Sequence, residues 1–210
     1  MRNMKRVNRI TKIISCYLLL VTRFLIYSPP KGKMTGFPYL RIAVVGTTGS
    51  GKSTLAENIA HRLHIPHVEL DALFWQPDWK ESPWDVMRPR VEAITCGSAW
   101  VTDGNYGFCR DIIWSRAQAV IWLDYSLPLI LWRLWWRTWQ RVLQQDYLWG
   151  TNYERLWPQF FSRDSIFWWA IQTFDRRRRT YSELFASTEY RHLELYHLKS
   201  PRETEAWLRS

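Results

Sequence analysis

The sequence predicts an α/β fold, a parallel sheet with helices packed on both faces. Three observations predict it. Five short apolar runs recur along the 210 residues, each the length of a buried strand. Stretches of helical periodicity separate them, the alternation that builds parallel sheets. A glycine-rich segment joins the first run directly to the first helical stretch. At 47% hydrophobic residues, a chain of this length buries one substantial core.

The first run, Leu40-Arg41-Ile42-Ala43-Val44-Val45, is β-branched and reads as a buried strand. It leads into Gly46-Thr47-Thr48-Gly49-Ser50-Gly51-Lys52-Ser53, which fits the pattern G-x-x-x-x-G-K-[ST]. The residues that follow, Thr54 to Leu63, place Leu55, Ile59 and Leu63 on one helical face. Glycines allow a tight turn that points successive N–H groups inward, and the helix N-terminus behind them adds its dipole. The result is a cradle for a polyphosphate. The predicted ATP-binding set is Gly46, Thr47, Thr48, Gly49, Ser50, Gly51, Lys52, Ser53 and Thr54. Lys52 is set against the β- and γ-phosphates, and the Ser53 hydroxyl is a ligand for Mg²⁺. The expected fold is thereby a three-layer P-loop NTPase.

The second strand is expected over Val68 to Leu70, with Asp71 at its C-terminal end. Ligands of open α/β sheets bind at that end. Asp71 is therefore a candidate to take the proton of an acceptor hydroxyl or to hold metal-bound water; a turn or helix-cap aspartate is the plainer reading. The aromatic stretch Phe74-Trp75-Gln76-Pro77-Asp78-Trp79 lines a pocket or covers the sheet edge. A helix over Pro83 to Gly97 turns Val86, Met87, Val91 and Ile94 inward, and leaves Arg88 and Arg90 as ordinary surface charges.

The third strand ends in Trp100-Val101-Thr102-Asp103-Gly104. An acid after a strand next to the phosphate loop takes Mg²⁺ through water, so Asp103 joins Ser53 as a candidate metal residue. Strands four and five are Ala119 to Asp124 and His192 to Leu198.

Between them, Leu127 to Gln145 is helical by pattern. Trp132, Trp136, Trp139 and Leu143 gather on one side, and Arg133, Arg137 and Arg141 on another. Like charges four apart repel, so the arginine stripe calls for an anion. Arginines arriving from a lid neutralise a transferring phosphoryl group, which makes Arg133 and Arg137 catalytic candidates beside Lys52 and Asp71. The plainer reading is a solvated arginine face with the tryptophans as core. The aromatics of 146 to 175 fit a lid packed on the sheet, or a homodimer surface. Arg176-Arg177-Arg178-Arg179 reads as a helix C-terminus, where cations are favoured without further function.

The net charge of +10 belongs to one end of the chain. Residues 1 to 33 hold eight Lys and Arg and no acid, so the remainder carries only +2. That balance argues against a nucleic-acid partner for the domain. Residues 1 to 33 are expected to be a disordered extension or no part of the native protein, with the domain running from Met34 to Ser210. The alternative is a membrane-surface anchor over residues 1 to 27, whose apolar part is too short to span. Three cysteines, Cys16, Cys96 and Cys109, form no metal-ligand spacing and fit a reducing, cytoplasmic setting.

In order, GTTGSGKSTLA (46–56), IPHVELDALFWQPDW (65–79), WVTDGNY (100–106), VIWLDY (120–125), LWRLWWRT (131–138) and SPRE (200–203) make the chain similar to a known family. It resembles the adenylate-kinase-like P-loop proteins of bacteria labelled DNA topology modulation protein, or FlaR-related. The resemblance implies a nucleoside-monophosphate-kinase-like fold with a helical lid over about 127–180, with ATP and Mg²⁺ as cofactors. It also implies that Asp103 is the Asp of the Asp-Gly after the third strand, that Arg133 and Arg137 are lid arginines, and that Ser200-Pro201-Arg202 lies at the adenine. One departure stands out. Nucleoside monophosphate kinases follow Asp-Gly with Phe-Pro-Arg, whose arginine holds the acceptor's phosphate. Here Asn105-Tyr106 follows, and the next arginine is Arg110.

The expected function is ATP-dependent phosphotransfer to a nucleotide or other small acceptor. The alternative is a nucleotide-binding regulator or nucleic-acid-associated NTPase.

Overall fold

The computed structural model describes residues 37–144, 147–148, 152–153 and 165–210, with side chains described up to Gln140 and again from Ser165. The expectations for residues 1 to 33 and for Trp149, Trp157, Phe160 and Phe161 lie outside the described residues, as do those for the side chains of Arg141, Leu143 and Tyr153.

The chain runs β1 (Arg41–Gly46), α1 (Lys52–Leu63), β2 (His67–Glu69), α2 (Leu70–Phe74), β3 (Trp75–Gln76), β4 (Lys80–Glu81), α3 (Trp84–Thr95), β5 (Trp100–Asp103) and α4 (Arg110–Arg116). It continues through β6 (Ala119–Leu123), α5 (Leu127–Gln144), β7 (Tyr147–Leu148), β8 (Asn152–Tyr153), α6 (Ile166–Ala186), β9 (Glu194–Leu198) and α7 (Pro201–Arg209). The five expected strands form one sheet in the order β2-β5-β1-β6-β9, paired in parallel throughout. β3–β4 and β7–β8 are two-residue antiparallel ribbons outside it.

The parallel sheet needs cover on both sides, and its central strands are apolar on both faces. Ile42, Val44, Val101, Ile121 and Leu123 face one layer, where Leu55, Ile59, Ile130, Leu134 and Phe174 close the core. Ala43, Val45, Val120 and Trp122 face the other, against Met87, Val91, Ile113 and Trp114. Each fully buried Leu, Ile or Val contributes about 1.5–3 kcal/mol, so these two layers supply most of the driving force.

The helix α6 belongs to both layers. Its Ala170 and Phe174 lie in the first core and its Tyr181 and Phe185 in the second. It therefore crosses the C-terminal edge of the sheet: Arg178 bonds Asp124 just past β6, and Tyr181 bonds Asn105 just past β5. Two expectations fail here. The four arginines 176 to 179 sit in the middle of a 21-residue helix rather than at its end. The helix continues because Tyr181 and Leu184 keep burying apolar surface beyond the charges.

The tryptophan stripe of α5 is the second. Ile130 and Leu134 already fill the core side of that helix. Trp132 is left 59% exposed, and Trp135, Trp136 and Trp139 are exposed beside it. The four indoles stack along the helix at ring separations of 5.6 to 6.3 Å, so they are a surface ladder and not core. Among the described residues, no helix is long and apolar enough to cross a membrane.

Candidate active site

The C-terminal ends of β1, β5 and β2 converge on the glycine-rich loop. Gly46 ends β1 with φ 151°, and a Cβ there would stand 2.6 Å from the Leu123 carbonyl oxygen. Gly51 caps α1 at φ 92°, leaving the first helical amides without a side-chain cap. Those N–H groups need acceptors, and an anion such as phosphate would fit them. Ser50 closes the turn with its N–H on the Thr47 carbonyl at 3.0 Å. Thr47 and Ser50 are buried, while Thr54 is exposed on the first turn of α1 and accepts at its carbonyl from Asn58.

The expected metal pair is in direct contact. The Ser53 hydroxyl donates to Asp103 Oδ2 at 2.5 Å, and Asp103 Oδ1 meets His67 Nε2 at 2.7 Å. Asp103 is only 2% exposed, so its carboxylate is held by these two partners in a dry setting. A hydroxyl and one carboxylate beside a phosphate cradle fit Mg²⁺, which keeps waters and phosphate oxygens in its shell instead of requiring an all-protein cage.

Lys52 opens α1 with its ammonium deep among neighbours. Burial is the main cause that lowers its pKa from the ordinary 10.5. Asp71 and Asp103 act to raise it, and Arg177 and Arg137 to lower it further. Four expected residues therefore share one electrostatic neighbourhood: Lys52, Asp71, Asp103 and Arg137. Arg133 is attached to the loop itself, donating from Nη1 to the Ser50 carbonyl at 2.9 Å while its guanidinium lies 5.1 Å from the Tyr125 ring.

Asp71 is the second residue of the short helix α2, not a free strand end. Its Oδ1 accepts from the Tyr106 hydroxyl. Burial first, then Asp71, drives the Tyr106 pKa upward, so that phenol keeps its proton and remains a donor. Tyr106, Asn105, Arg110, Leu70 and Tyr181 line a small cleft on this side of the sheet. Arg88 and Arg90 are structural: Arg88 pairs with Asp111 at 2.7 Å, and Arg90 donates to the Leu73 carbonyl and Ser82.

Sequence reasoning missed three residues. Arg177 lies in the span of α6 that crosses the strand ends, and it acts electrostatically on Lys52 and Asp71. Its Nη1 is buried with no hydrogen-bond partner among the described residues. Its signal was periodicity: Ala170, Phe174, Arg177 and Tyr181 follow one another at four, three and four residues, so Arg177 shares the inward face. His67 was read only as the residue before a strand; pairing of β2 with β5 brings it to Asp103. Asn105 was noted only as a departure, yet its side chain bonds the backbone of Gly46.

No protein-family model and no curated protein sequence matches the chain. Among solved structures it is similar to shikimate kinase from Bacteroides thetaiotaomicron, at TM-score 0.52 and 16% identity over 81% of this chain and 95% of that one. It is also similar to shikimate kinase from Acinetobacter baumannii, solved in complex with shikimate, at TM-score 0.50 and 16% identity over 82% and 90% of the two chains. Identity this low speaks to fold alone. The chain has the three-layer, parallel-sheet α/β fold of the P-loop kinases.

Proposed function

We propose that the protein is an ATP-dependent kinase that transfers the γ-phosphoryl group to the hydroxyl of a small acceptor. The observation that carries this reading is the convergence of Lys52, Arg137 and Arg177 on a loop already clasped by Arg133. Cations repel, and burial raises the cost of gathering them. A triphosphate reverses that cost.

In this reading, Gly46 to Thr54 receives the phosphates on backbone amides and the α1 N-terminus. Ser53 and Asp103 would hold Mg²⁺, which supplies charge neutralisation at the β- and γ-phosphate oxygens when bound. Asp71 takes the acceptor proton on the oxygen that Tyr106 does not occupy. The acceptor oxygen forms a bond to the γ-phosphorus as the bond to the β–γ bridging oxygen breaks, and ADP leaves. Lys52, Arg133, Arg137 and Arg177 stabilise the charge spread over the transferring group.

The narrower adenylate-kinase-like assignment, the helical lid over about 127–180, a domain from Met34 to Ser210 and a cytoplasmic location belong to the same proposal. They rest on the motif order and on the alternation of strands and helices. Asn105-Tyr106 in place of Phe-Pro-Arg weighs toward an acceptor other than a nucleoside monophosphate. The test is incubation of the purified chain with γ-labelled ATP, Mg²⁺ and a panel of nucleotides, sugars and hydroxy acids. Label should move to one class of acceptor, and Lys52→Ala should abolish the movement. Near-full transfer by Lys52→Ala would overturn the assignment.

A further inference from the structure

The side chain of Asn105 continues the sheet where its backbone stops. The ladder between β1 and β5 ends with the Gly104 N–H on the Val44 carbonyl at 3.3 Å. One residue on, Asn105 Nδ2 donates to the Gly46 carbonyl at 2.6 Å, and the Gly46 N–H donates to Asn105 Oδ1 at 3.2 Å. The amide thus imitates a strand neighbour for the first residue of the phosphate loop. On its other side Gly46 is in register with Leu123 of β6. Gly46 is held from both flanks at the φ of 151° that starts the loop.

The same Oδ1 accepts a second bond, the third of the side-chain amide. The Tyr181 hydroxyl donates to it at 2.8 Å. Tyr181 is buried on α6, one turn beyond Arg177 and on the same face. Burial pushes its phenol up to about 12, so the hydroxyl keeps the proton that it donates to Oδ1. The network also fixes the amide's orientation: two donors face Oδ1 and one carbonyl faces Nδ2. Among side chains of this length, only an amide serves both polarities. Aspartate lacks the donor, and leucine lacks both.

We propose that Asn105 is a positioning residue that fixes the entrance of the phosphate loop relative to α6, so that the loop amides and Arg177 address the same phosphate. The proposal rests on the triphosphate reading above. Asn105 touches no reacting atom. It works through Gly46 on one side and through Tyr181 on the other. Without the bond to Tyr181, α6 keeps its two apolar anchorages and the Arg178–Asp124 pair, but loses its tie to the residue that holds Gly46.

The experiment is calorimetry of Mg·ATP binding to the full chain, its Asn105→Asp, Tyr181→Phe and Arg177→Gln variants, and the Tyr181→Phe/Arg177→Gln double variant. Melting curves establish folding. Asn105→Asp sets an anion against the Gly46 carbonyl and should lower ATP affinity at least tenfold. Tyr181→Phe removes one hydroxyl from a buried ring and keeps the fold. It should weaken ATP binding no more than Arg177→Gln does, and the double variant should bind like Arg177→Gln alone. A purely structural role for Tyr181 predicts instead that the two losses multiply, and that result overturns the proposal. So does wild-type affinity in a folded Asn105→Asp. If that variant does not fold, the Tyr181–Arg177 cycle decides. Absence of any heat with the wild-type chain refutes the triphosphate reading itself, an outcome distinct from the others.

Discussion

Ser53 and Asp103 are bonded to each other at 2.5 Å, across the gap between the phosphate loop and the neighbouring strand. The carboxylate is buried, and among the described residues Ser53, His67 and the nearby Lys52 balance its charge. Asp103→Asn keeps the shape and removes the charge. The expected outcome is loss of the Mg²⁺ dependence of ATP binding, with affinity in EDTA changed less than threefold. Titrations with and without Mg²⁺ check it. Equal loss under both conditions would mean that Asp103 serves the fold and not the metal.

Lys52 makes a pH prediction. Its folded pKa lies below 10.5, chiefly through burial. Between that lowered value and 10.5 the unfolded chain binds more protons than the folded one, so this group makes stability rise with pH across that window. Bound ATP brings negative charge and raises the pKa again. ATP binding in the same window should therefore take up protons, seen as a dependence of the calorimetric heat on the buffer's ionisation enthalpy. Lys52→Met should bind ATP poorly yet melt higher without nucleotide, by a few degrees for a gain of about 1 kcal/mol.

Arg177→Gln should leave the melting temperature within about 2 °C, since among the described residues Nη1 has no hydrogen-bond partner to lose and the Trp169 ring stands 5.9 Å away. It should slow phosphoryl transfer by about a hundredfold or more, the scale of a lost charge-stabilising group. Single-turnover measurement with labelled ATP reads the chemical step directly.

Asp71→Asn should leave ATP affinity near wild type and slow transfer by about 10²–10⁴, the span of general-base catalysis. Tyr106→Phe removes the hydrogen bond to Asp71 while keeping the ring. That variant should slow transfer while leaving ATP affinity near wild type, because the carboxylate loses the hydroxyl that orients it. An unchanged single-turnover rate would assign no orienting role to Tyr106.

Trp132 and Trp136 lie on the surface ladder. Replacing both with Ser should change stability by no more than about 1 kcal/mol, as is usual for exposed sites. Sedimentation at several concentrations then tells whether the ladder served a dimer.

Much of this arrangement was legible in the residues. Parallel strands buried on both faces read as unbroken apolar runs, so all five were found, with ends displaced by one or two residues. The phosphate loop was found because its glycines, lysine and serine each answer a local demand. Arg177 escaped because four adjacent arginines look like a helix terminus, and only the spacing of Phe174 and Tyr181 says otherwise. The tryptophans of α5 were assigned inward because an apolar stripe normally is; Ile130 and Leu134 had already taken that side. Periodicity tells which face of a helix is buried. It does not tell which layer each end of a helix such as α6 enters.

That change of layers has a mechanical result. A helix riveted to both hydrophobic cores prevents either one from melting alone, so heat and denaturant should undo the molecule in one transition. Amide exchange in β1 and in β6 should then report the same opening free energy, and any ligand that grips the middle of the strap should slow exchange on both sides of the sheet together.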